Sequence, residues 1–505
     1  MRHDIHDLRA RIDAARVYEL ARRTPLQLAT RLSEELGRRV WLKREDLQDV
    51  FSFKIRGAAN RMAGLGEIAA QQGVCAASAG NHAQGVAMSA RHYGIDALIF
   101  MPVTTPPIKV RAVEALGGKT RLIGDTYDEA CQAAVAYSEE TGAIFIHPFD
   151  ELDVIAGQGT VAKELFEQAA RDIAAIYVCT GGGGLVSGIG AYAKAIAPGT
   201  RIIAAEPAGA ATLKTAMAAG QPVDLDHVDG FADGVAVKRI GSLTFNLCRD
   251  VVDGCVTVTN DEICAAVRDI FEATRTVVEP AGAVALAALR RDVVDGTAPD
   301  GDCVVTVSGA NVNFDRIGHM VERAELGAGE EMLFSAVIPE QRGAFRAFVD
   351  ALGHRAVTEF SYRYNDPQQA NLLVGLKIKR GSERDAVMHA LADANVDAKD
   401  LSGDRLAKRH LRHLVGGRGD TGITELIYRV EFPERPGALG QFLTALDARW
   451  NISLFHYRNH GAAEGHVLCG FQLPNHDKEA LEASLASIGF PVWEESENPA
   501  AHLFL

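Results

Sequence analysis

The last third of the chain repeats itself, and this constrains the fold more than any single motif does. Pro339-Glu340-Gln341-Arg342-Gly343-Ala344 returns as Pro433-Glu434-Arg435-Pro436-Gly437-Ala438, an offset of about 94 residues (433 − 339). Tyr362-Arg363-Tyr364-Asn365 is echoed by His456-Tyr457-Arg458-Asn459, and Val374-Gly375-Leu376 by Cys469-Gly470-Phe471. Each copy reads as a strand, a turn, a helix and two returning strands. In the second copy these fall at Leu426 to Phe432, Ala438 to Arg449, Ser453 to Arg458 and His466 to Leu473. The pattern predicts two copies of one small α+β module, which either senses a ligand or supports an oligomer interface.

From Thr24 to about Gly318 the pattern is different. Ala-rich helical stretches alternate with short β-branched runs such as Asp96 to Met101 and Ala175 to Cys179, as parallel strands with crossover helices require. Composition shifts around Glu325 to Glu330, which divides the chain into 1–325, 326–420 and 421–505. Several units also suit 505 residues at roughly 150 per domain.

Composition removes several function classes. With 47% hydrophobic and 23% charged residues the chain reads as globular, and a net charge of −14 without a dense Lys/Arg stripe argues against nucleic acid. The eight cysteines lack paired metal or disulfide spacing, so reduced thiols are expected. No run approaches 18 apolar residues and the start resembles no secretory signal, so a cytoplasmic protein with no membrane partner is expected.

Four segments stand out. Lys54, within Ser52-Phe53-Lys54-Ile55-Arg56-Gly57-Ala58, has apolar neighbours that favour partial burial, and desolvation lowers an amine toward nucleophilicity. The alternative is a solvated surface lysine. Ser78-Ala79-Gly80-Asn81 follows a strand-like run; its small residues leave N–H groups open to an anion, or Asn81 merely caps a helix. Neighbouring His82 is expected to pack or hydrogen-bond locally rather than act as a base. Gly181 to Gly184, with Leu185, separates a strand from a helix expected from about Val186 to Ala197. Four glycines form a nest of N–H donors for a phosphate, and their entropy cost makes an ordinary turn a poor reading. Neither the nucleotide P-loop nor the dinucleotide fingerprint matches, so a smaller phosphate ligand is expected. Ser308 ends the strand-like Val304 to Val307.

In this order the four segments resemble the fold-type II pyridoxal-phosphate enzymes, and specifically the biosynthetic threonine deaminases. His147-Pro148-Phe149-Asp150, Gly157-Gln158-Gly159-Thr160 and Val278-Glu279-Pro280-Ala281-Gly282-Ala283 extend the resemblance, as does the tandem repeat, which is similar to a paired ACT-like module. The resemblance implies an α/β catalytic region of two twisted, mostly parallel sheets, followed by a tandem α+β regulatory domain. It implies that Lys54 carries pyridoxal 5'-phosphate as a Schiff base. Gly181, Gly182, Gly183, Gly184 and Leu185 would bind its phosphate, Asn81 its ring hydroxyl, Phe53 its ring face and Ser308 its pyridine nitrogen. Ser78, Ala79 and Gly80, with Asn81, would bind the substrate carboxylate.

The implied reaction is deamination of L-threonine, and also of L-serine, to the 2-oxo acid and ammonia. The freed Lys54 amine would take the Cα proton, and the β-hydroxyl would leave with a proton from the cofactor phosphate. Ser308, a neutral hydroxyl, makes a weaker electron sink than an aspartate partner would, which favours elimination. Serine racemases carry a second serine where this chain has Ala79, and a metal site of which Glu206 and Ala210 fit but Thr212 does not, so no metal is expected. Threonine synthase, another β-replacing synthase and a catalytically silent amino-acid sensor are the alternatives. For the repeats the resemblance implies inhibition by isoleucine, relief by valine and a homotetramer, with Tyr362, Tyr457 and Arg458 as effector contacts. Strand aromatics in such modules also serve simply as core.

Overall fold

The computed structural model describes residues 5–327 and 330–497, other than 354, 364–367, 380–381, 405–424, 434–437, 447–449, 459–463 and 474–476. The chain forms two compact units, Met1–Gly327 and Ala328–Leu505.

The first unit holds two sheets. The larger runs in the order Leu26–Leu28, Val40–Arg44, Asp302–Val307, Ile173–Cys179, Arg201–Pro207, Gly254–Val258, and every pairing except the first is parallel. Its central strands are buried at every position but Ala174, as continuous apolar runs in a parallel sheet tend to be, and the helix Pro280–Val294 packs on them. The smaller sheet is wholly parallel: Lys119–Leu122, Ala97–Met101, Val74–Ala77, Ile144–Phe145.

Helix Lys54–Ala63 lies between the helices Asn81–Tyr93 and Leu152–Gln168. Glycines permit the close approach: a Cβ on Gly85 would stand 3.1 Å from the Lys54 carbonyl oxygen, and one on Gly157 2.5 Å from that of Arg56. Beneath the helix, Arg56 donates to Glu45 and Glu164, each at 2.7 Å, and Lys43 Nζ donates to Glu164 at 2.7 Å, all four side chains being buried. Two cations face two carboxylates, so the cluster carries no net charge. Its partners span a strand, a turn and two helices, which fixes the start of the Lys54 helix against the rest of the unit.

The second unit is one eight-stranded antiparallel sheet made by two copies of a βαββαβ module. The first copy comprises Glu331–Pro339, helix Ala344–Leu352, Val357–Arg363, Gln369–Lys377, helix Ser382–Asp393 and Asp397–Asp400. The second comprises Glu425–Pro433, helix Ala438–Leu446, Asn451–Arg458, Glu464–Gln472, helix Lys478–Ser487 and Val492–Glu494. Each copy has a closing helix and edge strand beyond the four elements read from the sequence. Asp-Ala-Lys-Asp at 397–400 is too short and polar to announce itself as a strand, yet such a segment suits an exposed sheet edge.

The copies meet where Val357–Arg363 pairs with Asn451–Arg458, with Phe360 opposite Tyr457 and Tyr362 opposite Phe455. Register shifts recur between Val357 and Glu359 and between Ile452 and Leu454. Thr358 donates to Glu331 beside Gly375, and Ser453 to Glu425 beside Gly470, so the recurring glycines leave room for a duplicated hydroxyl–carboxylate contact.

Candidate active site

The turn that presents Lys54 is lashed to the end of strand Asp302–Val307. Phe53 N donates to the Ser308 carbonyl at 3.1 Å, Ala310 N donates to that of Phe51 at 2.8 Å, and Ser52 bridges to Gly309. Phe51 adopts the left-handed φ of 53° that this sharp turn demands. Lys54 Nζ donates to the Pro148 carbonyl at 2.9 Å and lies 5.3 Å from the centre of the Phe53 ring. Burial drives its pKa down to about 8, against the upward pull of Cys179 and Glu279. This is the buried, activated amine, not the solvated lysine.

Facing it is the glycine loop. Lys54, Phe53, Gly181 to Gly184 and Leu185 line one cleft of about 360 Å³ with Phe149, Cys179 and Val235. Gly183 has φ 90°, and helix Gly184–Ile196 begins two residues earlier than its sequence pattern implies. Gly184 and Leu185 therefore lie in the first turn, whose N–H groups have no partner inside the helix. Thr244 Oγ1 donates to the Gly182 carbonyl at 2.7 Å, and Thr212 Oγ1 to that of Gly181 at 3.1 Å. With these carbonyls held, the loop has N–H groups to offer an anion. A Cβ on Gly184 would sit 3.1 Å from Phe149, and one on Gly181 2.8 Å from the Val235 carbonyl oxygen, so the cradle admits glycine alone.

Asn81 is not a helix cap: Gly80 holds that position, and no side chain caps the helix Asn81–Tyr93. Its amide instead donates to Glu279 Oε1 at 2.6 Å and accepts from Asn311 at 2.7 Å. Ser78, Ala79 and Gly80 are half-buried, and the Ser78 hydroxyl accepts from Gly80 N at 3.2 Å. His82 is bonded to the Ile146 carbonyl at 2.9 Å, and burial lowers its pKa to about 3, which keeps it neutral. Ser308 donates to the Ala281 carbonyl at 3.3 Å and shares a side-chain hydrogen bond with Cys179, which reaches the cleft.

Several residues here carried no local sign of a role. His147 Nδ1 accepts from Phe149 N at 3.2 Å and Asp150 N at 2.8 Å, closing the turn that offers Pro148 O to Lys54 and Phe149 to the glycines. Asp150 receives Ser242 N and Thr244 N, extending this brace to the glycine loop. Nothing in the spacing links 147–150 to 182 or 244; only the family resemblance drew attention to the segment. Glu206, by contrast, accepts from Leu213 N at 2.7 Å and Lys214 N at 2.9 Å, serving the start of a helix. Among the described residues no His/Cys/Asp/Glu group suited to a metal occurs.

Residues 17–309 match the pyridoxal-phosphate dependent enzyme family, and residues 322–411 and 418–505 match the C-terminal regulatory domain of threonine dehydratase. The L-threonine dehydratase biosynthetic IlvA of Burkholderia multivorans is 46% identical over 503 residues, 99% of each chain. The chain belongs to the biosynthetic threonine dehydratases. It shares their pyridoxal-phosphate cofactor, which suits a cleft pairing a low-pKa lysine with a glycine cradle. The processed form of threonine deaminase isoform 2 from Solanum lycopersicum superposes with a TM-score of 0.62 at 44% identity, over 63% of this chain and 93% of that one. Maize serine racemase gives 0.59 at 35%, over 64% and 97%. The catalytic fold is thus common to dehydratases and racemases.

In the regulatory unit of this threonine dehydratase family member, a cavity of about 570 Å³ opens between the first copy and the helix Ala438–Leu446 of the second. Glu340, Arg342, Arg346 and Tyr362 stand on one side and Leu443, Leu446, Trp450 and Ile452 on the other. Tyr362 donates to Glu340 at 2.6 Å, and burial raises the pKa of that carboxyl. Tyr457 is buried in the shared core, and the side chain of Arg458 lies outside those described. Among the described residues, no helix is long and apolar enough to cross a membrane.

Proposed function

We propose that this chain deaminates L-threonine to 2-oxobutanoate and ammonia, with Lys54 as the base at Cα. The carrying observation is Lys54 Nζ, lowered to about pKa 8, in one cleft with the glycine loop. Gly181 to Leu185 hold the cofactor phosphate, Phe53 packs on the ring, Asn81 meets the ring hydroxyl and Ser308 the ring nitrogen. Bound pyridoxal phosphate supplies an electron sink for the charge left at Cα. Ser78, Ala79 and Gly80 present donors to the substrate carboxylate, the Ser78 hydroxyl among them because its own N–H is bonded to the Phe100 carbonyl. Lys54 then takes the Cα proton, the Cα–H electron pair forms the new double bond to Cβ, and the β-hydroxyl departs as water with a proton that the phosphate held by the glycine loop would supply. Water returns in hydrolysis of the released enamine, which frees ammonia.

The regulatory unit binds a small amino acid, and the cavity chemistry favours isoleucine. Glu340 suits the ammonium group, Arg342 and Arg346 the carboxylate, and Leu443, Leu446 and Ile452 a branched side chain. Valine, one methylene shorter, fills the same wall less completely. The test is 2-oxobutanoate formation from L-threonine by the cofactor-loaded protein, with and without isoleucine, beside Lys54→Ala. Product that requires Lys54 and falls with isoleucine supports both parts. Product indifferent to isoleucine removes the effector assignment, and no product removes the activity.

A further inference from the structure

Asn81 is clamped at both ends, and the clamp has only one possible polarity. Asn311 Nδ2 donates to the Val50 carbonyl at 2.8 Å, a group that can only accept, so the donor end of Asn311 is fixed. The same nitrogen meets Asn81 at 2.7 Å, which obliges Asn81 to present its oxygen there and its nitrogen at the opposite end. That nitrogen donates to Glu279 Oε1 at 2.6 Å. One of its two N–H bonds is thereby used, and the other remains for an oxygen in the cleft.

Glu279 is almost fully buried, and its carboxylate abuts Gly309 and Gly234. A Cβ on Gly309 would lie 2.6 Å from Oε1, and one on Gly234, a cleft residue, 3.4 Å. The ionisable groups facing it are Asp233 and Lys109, which pair with each other at 2.6 Å, together with Lys54 and Cys179. Burial and then Asp233 push the Glu279 carboxyl up to about 7, opposed by Asn81, Lys109 and the Asn311 backbone.

We propose that Glu279 is a positioning residue that acts on the cofactor through Asn81. In its charged form it aims the Asn81 amide at the ring hydroxyl and holds that hydroxyl and the Lys54 nitrogen toward their protonated forms. The direction follows from charge: an adjacent carboxylate opposes loss of a proton from either group. The inference rests on the reading of Asn81 as the partner of the ring hydroxyl.

The experiment is the absorption of the bound cofactor in the holoenzyme, recorded over roughly pH 6 to 9, where such a carboxyl changes charge. Wild type is compared with Glu279→Gln, which keeps the acceptor oxygen and removes the charge, and with Asn81→Ala. Glu279→Gln is expected to move the midpoint of the pH-dependent change down by about one pH unit, the scale of losing one nearby charge at intermediate dielectric. Asn81→Ala is expected to change the spectrum itself. A Glu279→Gln titration that coincides with wild type while Asn81→Ala differs overturns the inference and leaves the Asn81 reading standing. If both variants coincide with wild type, the Asn81 reading fails and the inference with it. Should Glu279→Gln not fold, Asn311→Ala carries the test by releasing the other end of the clamp, and an unchanged spectrum overturns the proposal.

Discussion

Tyr362 and Tyr457 occupy the same place in the two regulatory repeats: Tyr362 lies opposite Leu372 and Tyr457 opposite Val467, so the second pair repeats the first 95 residues on (457 − 362 and 467 − 372). Tyr362 faces the cavity of the regulatory unit and donates to Glu340. Removing that hydroxyl leaves the half-buried Glu340 carboxyl short of a donor. Tyr362→Phe is expected to weaken isoleucine binding about tenfold, the scale of one lost hydrogen bond to a charged group, in a calorimetric titration. An isotherm identical to wild type would place the effector elsewhere.

Lys54 carries a pH prediction with a definite sign. Its pKa falls from 10.5 to about 8, so at neutral pH the neutral amine is roughly 300 times more abundant than in a free lysine. In the cofactor-free protein, labelling of Lys54 by an amine-directed reagent should therefore rise through a midpoint near pH 8, read by mass spectrometry. A midpoint above pH 10 would mean the amine is solvated.

The glycine cradle predicts a steric phenotype. Gly182→Ala drives a methyl into the Phe149 ring, and Gly181→Ala into the Val235 carbonyl oxygen. Each should lower cofactor affinity at least about tenfold, measured by equilibrium dialysis, since a displaced loop costs hydrogen bonds to the phosphate. Adding Phe149→Ala to Gly182→Ala should restore part of the loss by freeing that space. If the double variant is no better than the single one, the clash is not the cause.

Arg56 should be the most costly single surface-remote charge to remove. Arg56→Met strands Glu45 in the interior and leaves Glu164 to Lys43 alone, and breaking such a buried pair costs about 3–5 kcal/mol, read from urea unfolding. Arg56 also holds the Glu45 carboxyl below its ordinary value of 4.5, although burial works the other way. The stability from that ionised form is thus fully present above the unfolded value and is lost as pH falls through the folded one. In wild type an acid titration should show this loss below about pH 4.5, and in Arg56→Met it should be absent.

Much of the chain could be read locally. Alternating apolar runs give parallel strands, four glycines between a strand and a helix give an anion cradle, and the recurring Gly-Ala with its flanking patterns gives the tandem module. The apolar neighbours of Lys54, adjacent in sequence, made its burial legible, and the family resemblance singled it out as the cofactor lysine. What lies between distant segments was not. Glu279, Asn311 and Asn81 are far apart along the chain, and their contact arises only when helix Pro280–Val294 and the end of strand Asp302–Val307 meet the small-sheet helix. Likewise, His147 and Asp150 serve the glycine loop only through backbone N–H groups, which leave no side-chain pattern to find.

Sequence by itself determined the alternation of helices and parallel strands in the first unit, a glycine loop with free backbone N–H groups, and the duplication of the last third, because those properties follow from periodicity and backbone freedom. Tertiary structure decided the direction of the Asn81 amide, the lowered pKa of Lys54 and the cavity between the repeats. Each of these depends on which distant groups exclude water from one point, and burial of that kind is set by packing in three dimensions.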